Sequence, residues 1–285
     1  MDDRRAAAGG VEVPAVGLGT WRLRGADCRR AVRTALDVGY RHVDTAQAYG
    51  NERQVGAALE ASDVDRDAVF LATKLDGSNR SYDDVLRSVE ASLSRLGTDY
   101  LDLLLIHWPT DRPPFSPVRL PMGPPLEETL AAMNEAVDRG HVRHLGVSNF
   151  GVDLLDEARS LSDAPVVTDQ VQFHPYWDQS DLLAYCRRED VLLTAYSPLC
   201  HGGVLDDDVL VEIGRRYDKS PAQVAIRWVI QHENVCTVPK ASTRDHLVAN
   251  RDVFDFELTD GEMARIRRPS KVRTAAGFVR SRLPV

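Results

Sequence analysis

The feature that most restricts this chain is a recurrence. Eight short aliphatic and β-branched runs, at 16–20, 42–45, 69–73, 101–107, 142–147, 166–172, 191–196 and 235–239, are separated by stretches of helical periodicity. In the stretch 82–96, for example, Val85, Leu86, Val89, Leu93 and Leu96 fall on one face, and 126–137 reads the same way. Continuous apolar strands alternating with helices require a parallel sheet covered on both faces. Eight such units predict an α/β fold closed into a (β/α)8 TIM barrel rather than an open doubly wound sheet. No linker rich in Pro, Gly or Ser divides the chain, so residues 1–285 are expected to form a single barrel domain, with a core over about 11–265 and a C-terminal tail over 266–285.

Local signals agree with the alternation. Asp27 stands before one predicted helix and Gly39 after it, Ser81 precedes the next, and Gly97 and Gly140 close two more. Ser220-Pro221 reads as an N-cap followed by proline at the first helical position. The segment 110–125 has six prolines in sixteen residues and is excluded from helix and inner strand. It is expected to be a long loop after the fourth barrel strand, either a wall of the substrate site or a solvated surface loop.

Composition narrows the function. A formal charge of −8 without a long basic block excludes a phosphate-tracking surface, so nucleic acid is not an expected partner. Cys28, Cys186, Cys200 and Cys236 show no metal-binding spacing, and no metal is expected. The first ten residues, MDDRRAAAGG, lack the apolar core of a signal peptide, and the apolar stretch 222–230 is short and broken by Arg227. These features predict a cytoplasmic, reduced protein with no membrane partner, and the lack of an extensive exposed apolar helix predicts a monomer.

Barrel enzymes carry their chemistry at the C-terminal ends of the strands. The polar residues there are Asp44, Lys74, His107, Ser148 with Asn149, Gln170, and Tyr196 with Ser197, and Tyr49 lies on the loop five residues beyond Asp44. Singly, each has a plain structural reading as a helix cap, a satisfied core histidine or a solvated strand end. Their convergence on one barrel mouth favours a site.

The motifs VGLGTW at 16–21, HVDTAQAYGNE at 42–52, TKL at 73–75, YLDLLLIHWP at 100–109, GVSNF at 146–150 and YSPL at 196–199 resemble the aldo-keto reductase superfamily. The likeness runs from about residue 11 to 250, with six separated motifs in order. It implies a catalytic tetrad of Asp44, Tyr49, Lys74 and His107. An ammonium beside Tyr49 is expected to lower the phenol pKa, and Asp44 to keep buried Lys74 charged. The reaction implied is hydride transfer from NADPH to an aldehyde or ketone, with Tyr49 donating the proton and His107 orienting the carbonyl.

No GxGxxG turn is present, since Gly17 and Gly19 flank Leu18 without a third glycine. The resemblance instead implies that Ser148, Asn149 and Gln170 hold the nicotinamide carboxamide, Tyr196 stacks on the ring, and Ser197 and Leu199 border the pyrophosphate; Thr45 belongs to the same set. The segment 238–250, VPKASTRDHLVAN, implies an adenosine-phosphate loop in which Lys240, Ser242, Thr243 and Arg244 meet a 2′-phosphate and Asn250 lies nearby. Ala241, His246 and Ala249 depart from the family's common serine, arginine and glutamate, which weakens the preference for NADPH and leaves NADH open. Trp21 and Trp108 are expected to form an aromatic substrate pocket, and Asp76 to disfavour acidic substrates if it faces that pocket. Other readings of the same barrel are a mainly oxidative alcohol or sugar dehydrogenase, a nucleotide-binding regulatory subunit, or a non-catalytic scaffold.

Overall fold

The computed structural model describes residues 4–78, 80–109 and 124–280. It opens with a hairpin, β1 (Arg5–Ala8) paired antiparallel with β2 (Val11–Pro14). The turn is Gly9-Gly10, with φ of 59° and 77°, values a two-residue hairpin turn needs at both central positions and that glycine reaches without penalty. Along the hairpin, Ala6, Ala8, Val11 and Val13 are buried and pack against Phe70, Leu103, Val167 and Leu192. These partners stand near the beginnings of barrel strands, so the hairpin plugs the end opposite the mouth. Burial thus begins at Ala6, in the hairpin.

Eight parallel strands follow: β3 (Leu18–Gly19), β4 (His42–Asp44), β5 (Phe70–Leu75), β6 (Leu101–Ile106), β7 (Val142–Ser148), β8 (Val166–Gln172), β9 (Leu192–Tyr196) and β10 (Val235–Thr237). Each pairs with its neighbour in sequence order. A parallel bridge between Val16 and Thr237 joins the two ends of this series. There Gly17 N donates to Thr237 O at 2.8 Å, and Gly19 N to Pro239 O at 3.1 Å. A Cβ on Gly19 would lie 2.4 Å from the Val238 carbonyl oxygen. Gly19 of VGLGTW therefore allows the first and last barrel segments to approach, and Gly17 makes room for the His42 ring, packing roles rather than a phosphate turn.

The helices cover the outside of the barrel. The first, α1 (Gly25–Asp37), begins after Arg24, so Asp27 lies inside its first turn, where a carboxylate complements the helix dipole, instead of capping it. α2 spans Glu52–Glu60 and α3 Tyr82–Leu96. Ser81 caps α3, accepting from Asp84 N, and Gly97 ends it at a φ of 64°. α4 (Leu126–Asp138), α5 (Val152–Leu161), α6 (Ser180–Arg188), α7 (Asp208–Tyr217) and α8 (Pro221–Ile230) complete the ring, α8 starting with the Ser220/Gln223 capping box that Ser220-Pro221 foreshadows.

Three helices end the chain: α9 (Arg244–Arg251), α10 (Asp260–Ile266) and α11 (Lys271–Arg280). The C-terminal tail is docked across its described part. Asp207 accepts from Arg268, Arg273 and Tyr176, and the backbone N–H groups of Arg268 and Ser270 donate to Pro175 O and Tyr176 O, both at 2.8 Å. Tyr176 and Asp207 lie on the loops after β8 and β9, so α11 rests on the mouth side. Among the described residues no helix is long and apolar enough to cross a membrane.

Candidate active site

Strand registers deliver the tetrad. Asp44 closes β4, Lys74 is the next-to-last residue of β5, and His107 follows β6. A short 3-10 turn, Gln47–Tyr49, places Tyr49 above them. Lys74 Nζ donates to Asp44 Oδ1 at 2.5 Å and to the Thr45 carbonyl at 2.8 Å, while Gln170 Nε2 donates to Asp44 Oδ2 at 2.7 Å. The Lys74 ammonium stands 5.2 Å from the Tyr49 ring centroid, and the Tyr49 and His107 rings meet edge-on at 5.7 Å. The four expected residues are thus one contiguous cluster.

Burial dominates its electrostatics. Lys74 is fully shielded from water, which pushes its pKa down, and Asp44 opposes that by favouring the ammonium. His107 is held at about 4, first by burial and then by Lys74, so its imidazole is neutral at neutral pH. The phenol differs from expectation. Burial, reinforced by the Asp44 carboxylate, pushes the Tyr49 pKa above the ordinary tyrosine value instead of lowering it. The physical reason is that the cost of burying a phenolate outweighs the help of Lys74, which donates to Asp44 and Thr45 rather than to the phenol.

A layer of positioning contacts escapes a motif reading. Buried Asn51 donates to Thr20 O at 2.9 Å and Leu23 O at 3.1 Å and accepts from Thr45 Oγ1 at 2.7 Å, pinning the loop that carries Tyr49. Thr73 Oγ1 donates to Glu52 Oε1 at 2.7 Å and Arg95 Nε to Glu52 Oε2 at 2.6 Å, fixing the strand beside Lys74. Both acceptors lie in or next to HVDTAQAYGNE, but nothing in that string shows which partners they take.

Ser148, Asn149, Gln170 and Tyr196 stand together on neighbouring strand ends. Ser148 Oγ donates to Gln170 O at 2.7 Å, Asn149 Nδ2 to His107 O at 3.0 Å, and Tyr196 OH to Asn149 Oδ1 at 2.8 Å. Asn149 and Ser197 have φ of 64° and 51°, left-handed values that turn the chain sharply at the mouth. Leu199 packs against the core beside them. Lys240, Ser242, Thr243 and Arg244 are exposed, with Thr243 capping α9 and Asn250 buried at 5% exposure within it.

Trp21 is 38% exposed and meets His201 edge-on at 5.7 Å. Trp108 is partly buried next to His107. Asp76 accepts from Ser78 N at 3.0 Å and Ser78 Oγ at 2.8 Å, bonds that hold its carboxyl below the usual range. It also borders a cavity of about 560 Å³ lined by α2 and α3, with Gln47, Arg53 and Arg87. Of the proline-rich segment, residues 110–123 lie outside the described residues.

With this geometry in place, comparison with known proteins is decisive. The model of the aldo/keto reductase family matches residues 15–270. The chain belongs to that family. This aldo/keto reductase is 38% identical to the glyoxal reductase of Bacillus subtilis over 90% of its own length and 89% of the relative's. It is 40% identical to the 9,11-endoperoxide prostaglandin H2 reductase of Trypanosoma cruzi, over 90% and 87%. The crystal structure of a Bombyx mori aldo-keto reductase in complex with NADP superposes with a TM-score of 0.85 at 32% identity, covering 94% of this chain and 92% of that one. The fold of this oxidoreductase is therefore the (β/α)8 barrel of its family, and the eight predicted strands are all present.

Proposed function

We propose that this aldo/keto reductase reduces aldehyde or ketone carbonyls to alcohols, with NADPH as the electron source and Tyr49 as the general acid. The observation that carries the reading is the buried chain Gln170–Asp44–Lys74 beneath Tyr49, with neutral His107 against the same ring. A buried ion pair with both carboxylate oxygens occupied is costly to keep for packing alone, and it stands at the strand ends where barrels place chemistry.

The residue set fits a nicotinamide dinucleotide. Lys240 and Arg244 are exposed cations with no ion-pair partner among the described residues, and they flank hydroxyls at the start of an eight-residue helix, a donor set suited to an anionic phosphate. Tyr196 would face the nicotinamide ring, Ser148, Asn149 and Gln170 its carboxamide, and Ser197, Leu199, Thr45 and Asn250 the remainder. When bound, the cofactor supplies the hydride.

The protein's own residues handle the proton. A phenol whose pKa is pushed up stays protonated at neutral pH, as a donor to a developing alkoxide must. Lys74 stabilises the phenolate that appears as the proton leaves, and Asp44 keeps Lys74 charged for that moment. His107, neutral, has a ring N–H to offer the carbonyl oxygen without adding charge. The test is turnover of NADPH with a panel of aldehydes, wild type against Tyr49→Phe. Activity lost in the variant with nucleotide binding retained supports the role; equal activity in both removes it.

A further inference from the structure

Between β5 and α3 lies a cation that the proposed mechanism does not use. Arg80 is 4% exposed, and its guanidinium donates from Nη2 to the Trp108 carbonyl. Its Nε and Nη1 are shielded from water and meet no acceptor among the described residues. The acids on the surrounding elements are engaged elsewhere: Asp76 with Ser78, Asp84 with Ser81 and Arg87, and Glu128 with the Tyr82 N–H. No carboxylate lies within ion-pair distance of Arg80 among the described residues. Buried arginine is ordinarily paired, and a guanidinium short of two acceptors is a site in want of an anion.

Its position says whose anion. The carbonyl that Arg80 holds belongs to Trp108, the residue after His107, and the charge of Arg80 is felt at the His107 imidazole. The unpaired cation therefore stands beside the group that orients the substrate carbonyl. Thr129 Oγ1 donates to the Arg80 carbonyl at 2.8 Å, fixing the backbone there.

We propose that Arg80 is a specificity residue that binds a carboxylate carried by the carbonyl substrate, making aldehyde acids and keto acids the favoured class. This rests on the reductase reading above. A planar guanidinium matches the two oxygens of a carboxylate, and shielding from water strengthens the pair. Asp76 does not repel such a substrate strongly, because its charge is already met by the Ser78 N–H and hydroxyl.

The experiment uses matched pairs, para-carboxybenzaldehyde and succinic semialdehyde, each against its methyl ester. Steady-state turnover with NADPH and quenching of tryptophan fluorescence are measured for wild type, Arg80→Met and Arg80→Lys. Wild type prefers each acid over its ester in both KM and dissociation constant. Arg80→Met loses about tenfold of that ratio, the loss of one charge-assisted contact, and Arg80→Lys retains part of it. Acids and esters weakening alike in Arg80→Met, or a wild type that does not discriminate, overturns the proposal. Absence of turnover with every compound sinks the reductase reading instead, and the fluorescence ratio still decides the role of Arg80.

Discussion

Asp44 on β4 and Gln170 on β8 meet inside the barrel at 2.7 Å, although 126 positions separate them in the sequence. Gln170 takes one carboxylate oxygen and Lys74 the other, so the aspartate is saturated and fixed. Replacing Asp44 with Asn removes the counter-charge of a fully shielded ammonium. Breaking a buried pair in this way costs about 3–5 kcal/mol. Asp44→Asn is expected to lower the urea midpoint accordingly and to abolish most turnover. The double variant Asp44→Leu/Lys74→Met is expected to be more stable than either single variant, because no charge is left unpaired. Two singles whose losses simply add in the double would refute the coupling.

Much of this fold is legible because its signals are local. Each barrel strand is a short apolar run between turn signals, Ser81 and Ser220 start their helices with side-chain caps, and Gly97 ends one in the left-handed conformation. The hairpin at the barrel floor is harder to see, since Ala6 and Ala8 are weakly apolar and only the alternation around Gly9-Gly10 marks it. Site residues stand out through strand-end position and motif resemblance. Their protonation does not, because the Tyr49 pKa is set first by its burial, a fact of packing that no spacing encodes. Arg80 is invisible in sequence for the same reason, being one arginine among many until its burial is known.

The hairpin separates stability from chemistry. Gly10 has a φ of 77° and open space around the position of a Cβ, so a side chain there is opposed by backbone strain alone. Gly10→Val is expected to cost about 1–2 kcal/mol. The plug lies at the end of the barrel opposite Tyr49, so kcat and KM measured on the folded fraction are expected to match wild type. A changed kcat at full folding would show that the floor communicates with the mouth.

Acid sensitivity follows from buried histidines. His174 is fully buried, accepts from Tyr176 N at Nδ1 at 3.2 Å, and is held at about 3 by burial and then by His201, against 6.5 when free. Between these values the unfolded chain binds a proton that the folded chain refuses. Stability from this group is complete above pH 6.5 and is lost progressively as pH falls towards about 3. His174→Asn keeps an acceptor for Tyr176 N but cannot titrate. The unfolding free energy of the variant is expected to fall less steeply between pH 6.5 and 4, with a difference on the order of 2–4 kcal/mol. Parallel pH profiles would assign the acid sensitivity to other groups, such as His42, which is held at about 4.

On the proposed function, cofactor choice would be set far from the proton relay. Lys240 and Arg244 both lie beyond the end of β10, exposed and without an ion-pair partner among the described residues. If these cations meet the 2′-phosphate, removing one loses a charge-assisted contact made with NADPH and not with NADH. Arg244→Ala is therefore expected to raise KM for NADPH by roughly tenfold or more, to leave KM for NADH near its wild-type value, and to spare kcat with either nucleotide. Raising ionic strength should weaken NADPH binding to wild type more than to the variant, since surface charge pairs are screened. KM values for the two nucleotides that rise together would place Arg244 at a part common to both, and the preference for NADPH would then have to come from Lys240 and the hydroxyls of Ser242 and Thr243.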